Sequence, residues 1–229
     1  MILLTGATGG IGKQILPQLM SLDNVLCLSR QKMPASRKSG QRIAYARVDL
    51  SREASVTSFV RHYAGQLNRI TLLHFAASSI DNLAIHYMEA DWDRVFDVNL
   101  KGNFLLTKAL LPRMVQEGWG RIIHISSVVG LHGMPGTLAY AASKSALLGF
   151  SKVLSREYAR FNITSNVLNL GYFDAGLMDR LKAKTRKTIL SQIPSRRLGP
   201  VSDIAQVIGC LMKTSYINGA VINIDGGIY

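Results

Sequence analysis

The chain has 229 residues, 48% of them hydrophobic, enough for one α/β domain with a sizeable core. Its 27 lysines and arginines against 14 acidic residues give a formal net charge of +13, but the basic residues are dispersed and accompany no nucleic-acid motif, which argues against nucleic acid as a partner. No apolar run approaches a membrane span, and Cys27 and Cys210 read as small core residues of a reducing, cytoplasmic compartment, with no disulfide and no metal site expected.

The chain opens directly as a strand at 1–4, without the basic region and cleavage site of a secretory signal. A glycine turn, Thr5 to Gly12, follows and leads into a helix with Ile11, Ile15 and Leu19 on one face and Pro17 inside it. Strands are predicted at 24–29 and 42–48, separated by a polar loop at 31–40. Ser51 is the expected N-cap of a helix reaching Tyr63. A strand at 70–75 precedes a helical stretch at 91–111, broken near Gly102 and closed by Gly118 and Gly120. The strand predicted at 121–125 runs into Ser126-Ser127 and a glycine-containing loop. A long alanine-rich helix at 138–160 leads to a strand at 163–168, with Cys210 on the buried face of a later helix at 201–212 and a last strand at 220–224. Between them, 171–200 contains a basic helix. Strands alternating with helices predict a Rossmann-type, doubly wound parallel sheet of about seven strands, with helices on both faces, in a single domain spanning 1–229. A ligand is then expected at the carboxyl ends of the strands.

Three stretches carry chemistry. Gly6, Gly10 and Gly12 follow a strand and open a helix, where they allow a tight turn and close approach of a pyrophosphate to the helix N-terminus. This context points to a dinucleotide. At the end of the second strand stands Ser29-Arg30, followed by Lys32, Arg37 and Lys38, with no acid to hold ribose hydroxyls. An arginine there pairs a 2′-phosphate, which favours NADPH over NADH. Tyr140 and Lys144 lie four apart, one turn from each other if helical. A neighbouring ammonium is expected to lower the phenol pKa toward neutrality and fit it for proton transfer.

With these pieces in order, the chain resembles the short-chain dehydrogenase/reductase family, and within it 3-oxoacyl-[acyl-carrier-protein] reductases. The resemblance covers nearly the whole length and rests on Thr5 to Gly12, Asp49-Leu50, Asn99 in Val-Asn-Leu-Lys-Gly, Gly120 to Gly130 with Ser126-Ser127, and Tyr140 to Lys144. Arg197-Leu198-Gly199 and Ile224-Asp225-Gly226-Gly227 add to it. It implies that Tyr140 is the general acid in carbonyl reduction. Lys144 would hold the nicotinamide ribose and lower the tyrosine pKa. Ser127, thirteen residues before Tyr140, would hydrogen-bond the substrate carbonyl in preference to Ser126. Asn99 would support a water and proton path to the lysine. Thr5, Gly6, Thr8, Gly10, Ile11, Gly12, Arg30, Asp49, Leu50, Ala76, Gly171 and Phe173 would complete the cofactor site, with Asp49 at the adenine amino group.

The chain departs from the family at three places. His74-Phe75-Ala76-Ala77 stands for the usual Asn-Asn-Ala-Gly, Leu170-Gly171 for Pro-Gly, and Ala175 for a threonine that commonly meets the nicotinamide amide. His74 and His124 are expected to be satisfied strand residues. The resemblance further implies a homotetramer and a substrate lid around 172–197. The lid carries Leu177-Met178 and a basic run of Arg180, Lys182, Lys184, Arg186 and Lys187, a face that would suit an acyl-carrier protein. The expected reaction is reduction of a carrier-bound 3-oxoacyl thioester to the 3-hydroxyacyl product. Two other readings stay open at this point: an alcohol dehydrogenase for a small sugar, steroid or cyclic diol, and an NADP-sensing binding protein with little turnover.

Overall fold

The computed structural model describes residues 1–31, 42–175 and 183–229, with side chains omitted at 183–185. The loop basic residues Lys32, Arg37 and Lys38, and the lid residues Leu177, Met178, Arg180 and Lys182, lie outside the described residues.

Seven strands form one parallel sheet in the order β3-β2-β1-β4-β5-β6-β7. They are β1 (Ile2–Thr5), β2 (Val25–Ser29), β3 (Ile43–Arg47), β4 (Thr71–His74), β5 (Gly120–Ser127), β6 (Ile163–Leu170) and β7 (Val221–Ile224). The order reverses between β1 and β4, which opens a crevice at their carboxyl ends. β1, β4 and β6 are buried at every position, as expected for parallel strands covered on both faces.

The period-2 alternation of the strands divides the core. On one face Ile2, Leu4, Cys27 and Leu168 pack against Ile15 and Leu19 of α1 (Gly10–Leu22) and Ile204 and Ile208 of α8 (Val201–Lys213). On the other, Leu3, Leu26, Leu72 and Ile122 meet α2 (Glu53–Tyr63), α4 (Gly102–Glu117) and α6 (Leu138–Tyr158) through residues such as Phe59, Leu106, Leu110 and Leu154. Pro17 and Pro112 are kept inside α1 and α4 on exposed positions.

Several boundaries differ from the sequence reading, each for a local reason. The 91–111 stretch begins as α3 (Glu89–Phe96), widens into a π turn at Asp97–Lys101 and only then becomes α4. The discontinuity near Gly102 is thus a change of helical pitch, not a break. Ser51 does not cap α2: its hydroxyl turns back to Asp49 Oδ1 at 2.7 Å, and Arg52 precedes the helix without a side-chain cap. β5 extends through Ser127, and the glycine-containing stretch after it is a short helix, α5 (Val128–His132), whose first turn is capped by Ser127. The basic helix expected within 171–200 is α7 (Ala183–Gln192). Cys27 is buried as expected, but Cys210 is exposed, since α8 turns Ile204, Ile208 and Leu211 inward instead. Among the described residues, no helix is long and apolar enough to cross a membrane, and no cluster of His, Cys, Asp or Glu could hold a metal ion.

Candidate active site

The carboxyl ends of β1, β4, β5 and β6 converge where the motifs fall. Thr5 ends β1 and joins it to the next turn: its hydroxyl donates to the Leu73 carbonyl and accepts from the Ala76 amide at 3.0 Å. Gly6 follows at φ +72°, and a Cβ there would lie 2.6 Å from the Ala76 nitrogen. A Cβ on Gly12 would lie 2.2 Å from the Gly6 carbonyl oxygen. The turn is therefore closed on the β4 loop and on its own helix at once, a packing only glycine permits. Thr8, Gly9 and Gly10 remain exposed. α1 starts with no side-chain cap and no acid in its first turn, so its first amides face outward with the positive end of the helix dipole. That open cradle fits a pyrophosphate.

Arg30 and Asp49 flank the neighbouring edge, after β2 and β3. Arg30 is exposed and its carbonyl accepts from Arg47 Nε at 3.2 Å. The Asp49 carboxyl is held below its usual pKa range, chiefly by the Ser51 hydroxyl and amide, with Arg30 and Arg52 adding attraction. Leu50 is buried and touches the start of α4 at Gly102. At the other end, Gly171 is pressed against Asp225, where a Cβ would meet the Asp225 Cα at 2.7 Å. The Phe173 ring is buried in the core beside Gly199, so what it can offer a ligand is its backbone.

Tyr140, Lys144, Ser127 and Asn99 are brought together from three elements. Ser127 closes β5; its hydroxyl accepts from the Val129 amide at 3.2 Å and lies near enough to the Tyr140 phenol to favour its charged form. Ser126, one residue earlier on the opposite side of the strand, donates to the Lys144 carbonyl at 3.0 Å and is buried. The alternation of the strand therefore selects Ser127 as the serine facing the phenol. Lys144 is buried to 2% exposure. Its Nζ donates to the Ile125 carbonyl at 2.7 Å and lies 5.6 Å from the Tyr140 ring centroid. Burial lowers the ammonium pKa from 10.5 to about 8.

The expectation that Lys144 pulls the phenol pKa down is overturned. Burial of the ring disfavours phenolate and raises the Tyr140 pKa above 10.0. The Ser127 hydroxyl opposes this, and the Asp81 carboxylate adds to it. The ammonium is committed to the Ile125 carbonyl rather than the phenol oxygen. Tyr140 accordingly stands protonated, the form in which a phenol can give a proton away.

Asn99 sits in the π turn, fully buried. Its Oδ1 accepts from the Ser78 amide at 2.7 Å, and its Nδ2 donates to the Ser78 carbonyl and to Ser143 Oγ, both at 2.9 Å. Ser143 in turn donates to the Tyr140 carbonyl at 2.8 Å. Asn99 thus ties the β4 loop to the second turn of α6 through Ser143. Sequence reasoning missed Ser78 and Ser143 as parts of this arrangement. Ser143 was detectable, since it stands three after Tyr140 on the same helical face; Ser78 had no signal.

Comparison with known proteins identifies the family. The family model of the short chain dehydrogenases matches residues 1–186. Nodulation protein G of Rhizobium sp. (strain N33) is 34% identical over 233 residues, covering 99% of this chain and 95% of that protein. The 3-oxoacyl-[acyl-carrier-protein] reductase FabG of Thermotoga maritima is 34% identical over 240 residues, covering 99% and 96%. Among solved structures, ElxO with NADP bound superposes with a TM-score of 0.90 at 26% identity, covering 99% of this chain and 97% of that one. The chain belongs to the short chain dehydrogenase family and is an oxidoreductase.

Proposed function

We propose that this protein reduces a 3-oxoacyl thioester, carried by an acyl-carrier protein, to the 3-hydroxyacyl thioester, with NADPH as the reductant. The observation that carries the reading is the Ser127–Tyr140 hydroxyl pair at the end of β5, with the buried Lys144 ammonium beneath it. A carbonyl placed against the two hydroxyls gains two donors where negative charge develops during reduction. Tyr140, protonated at neutral pH, supplies the proton that completes the alcohol. Lys144 places positive charge behind the phenol as it gives up that proton, and Asn99 fixes the helix turn that carries both. The glycine turn and the open N-terminus of α1 would hold the pyrophosphate, and exposed Arg30 would meet the 2′-phosphate. The bound cofactor supplies the hydride. The thioester substrate is supported by the kinship with 3-oxoacyl-[acyl-carrier-protein] reductases over nearly the full length.

The test is absorbance-monitored oxidation of NADPH and of NADH with an acetoacetyl thioester, beside the Tyr140→Phe variant. Turnover with NADPH that requires the tyrosine is expected. Binding of NADPH without oxidation by any acyl thioester would overturn the reading.

A further inference from the structure

His74 and His124 pair across β4 and β5 in register, and their rings stack at 5.0 Å between centroids with planes 6° apart. Both are wholly buried. His74 Nε2 meets Thr107 Oγ1 of α4 at 3.0 Å; His124 Nε2 meets Ser165 Oγ of β6 at 3.3 Å. Both Nδ1 atoms lack a hydrogen-bond partner, as does Asn103 Oδ1 of α4. Parallel rings cannot aim two Nδ1 lone pairs at one metal ion, so the pair is not a metal site. Nor is it part of the site proposed for catalysis. It is a buried titratable pair between α4, which continues from the π turn of Asn99, and α6, which carries Lys144.

From every side the surroundings favour the neutral rings. α4 presents Asn103 and Thr107, and α6 presents Phe150, edge-on to His124 at 5.2 Å, and the Lys144 ammonium. The charged or titratable groups acting on the pair are Lys144 and the two rings themselves, and no carboxylate is among them. The Asn103 amide oxygen offers a protonated His74 one acceptor, which burial, the sister ring and Lys144 outweigh. A proton on either ring would place a cation against a second imidazole and an ammonium in an interior with nothing to neutralise it.

We propose that the His74–His124 pair is an acid-sensitive positioning element: protonation of either ring lifts α4 and α6 from β4 and β5, and with them Asn99 and Lys144. Burial and Lys144 lower the His124 pKa from 6.5 to about 3, and His74 is displaced in the same direction. The sign follows from linkage. Above pH 6.5 both rings are neutral whether folded or not, and the pair adds no pH dependence to stability. As pH falls below 6.5 the unfolded chain binds protons that the folded one refuses, so each ring erodes the folding equilibrium by about tenfold per pH unit. The link to catalysis rests on the role proposed for Lys144, but the structural readout does not.

The experiment has two arms. Nitrogen-15 NMR of the imidazoles in the full chain should show both rings neutral at every pH where the fold persists. Imidazolium signals at pH 6 in the folded protein would overturn the proposal. In parallel, near-UV circular dichroism is followed as pH is lowered for wild type and for His74→Asn/His124→Leu. Asparagine keeps a partner for Thr107, and Ser165 keeps Ser151 at 2.9 Å. The acid midpoint of the double variant should fall by about one pH unit. A midpoint equal to wild type would overturn the proposal. Should the variant not fold, the NMR arm decides alone. Loss of turnover at pH 8 in both proteins would refute the proposed reaction and leave the acid midpoints to judge the pair.

Discussion

The two faces of the sheet solve different problems. Under α1 and α8 the interior is mostly aliphatic, with Ile15, Leu19, Ile204 and Ile208 closing on Ile2, Leu4 and Leu168. Under α4 and α6 the strands nearest the catalytic candidates bury Lys144, His74, His124, Asn99, Asn103 and Ser143 beside the aliphatic cluster of Leu72, Leu106, Leu110 and Ile122. An aliphatic contact is forgiving: about 25 cal/mol per Å² is gained wherever area is covered. A buried polar group stabilises only if its partner is placed to within a few tenths of an ångström, and costs heavily if it is not. The first face therefore holds the sheet, and the second holds positions.

The contrast can be broken from either side. The largest expected effect is Tyr140→Phe, which keeps the packing and removes the proton. Turnover should fall by about 10²–10⁴-fold while cofactor binding and melting temperature stay near wild type. A variant retaining wild-type turnover would remove Tyr140 from the chemistry. On the aliphatic face, Ile208→Ala should cost about 2–5 kcal/mol by denaturant titration and leave turnover at 25 °C intact. An equal loss of activity would show that the two faces are not separable. Lys144→Met sharpens the comparison further, because it should stabilise the fold while abolishing turnover. With the folded pKa near 8 and the unfolded near 10.5, the buried ammonium costs about 3 kcal/mol. That cost is fully present below pH 8 and fades as pH rises toward 10.5. Wild type should gain stability over that range and the methionine variant should not; a lower melting temperature for the variant at pH 7 would refute this.

The same division decides what was legible in the sequence. The parallel, doubly wound sheet and the glycine turn followed from strand–helix alternation, because those signals are local and repeated. The Tyr140–Lys144 pair followed from helical spacing, and Ser127 over Ser126 from a count of thirteen that the strand's alternation explains. What escaped depended on surroundings. The direction of the Tyr140 pKa was misjudged because Lys144 is visible in sequence and the burial of the ring is not. Cys210 was placed inside because a helical pattern leaves its precise angle open by a residue or so. The α5 helix was read as loop because Gly130 and Gly133 outvoted five residues whose helix is held by the Ser127 cap. The pairing of His74 with His124 needed the β4–β5 register, which no local pattern encodes.

The π turn at Asp97–Lys101 makes the site vulnerable to a change of chain length by one. Such a turn carries one residue more than an α turn over the same path. Removing a single residue there would let α3 run into α4 as one regular helix, with Leu105, Leu106 and Leu110 still seated in the core. What would vanish is the widened turn from which Asn99 spans Ser78 and Ser143. A deletion of Asn99 should therefore keep the helical content of wild type and fail to turn over; a loss of helical signal by circular dichroism would show that the extra residue belongs to the scaffold. Ordinary selection for a sturdier helix would erase this turn, so its presence marks where the chain keeps an irregularity in exchange for reach.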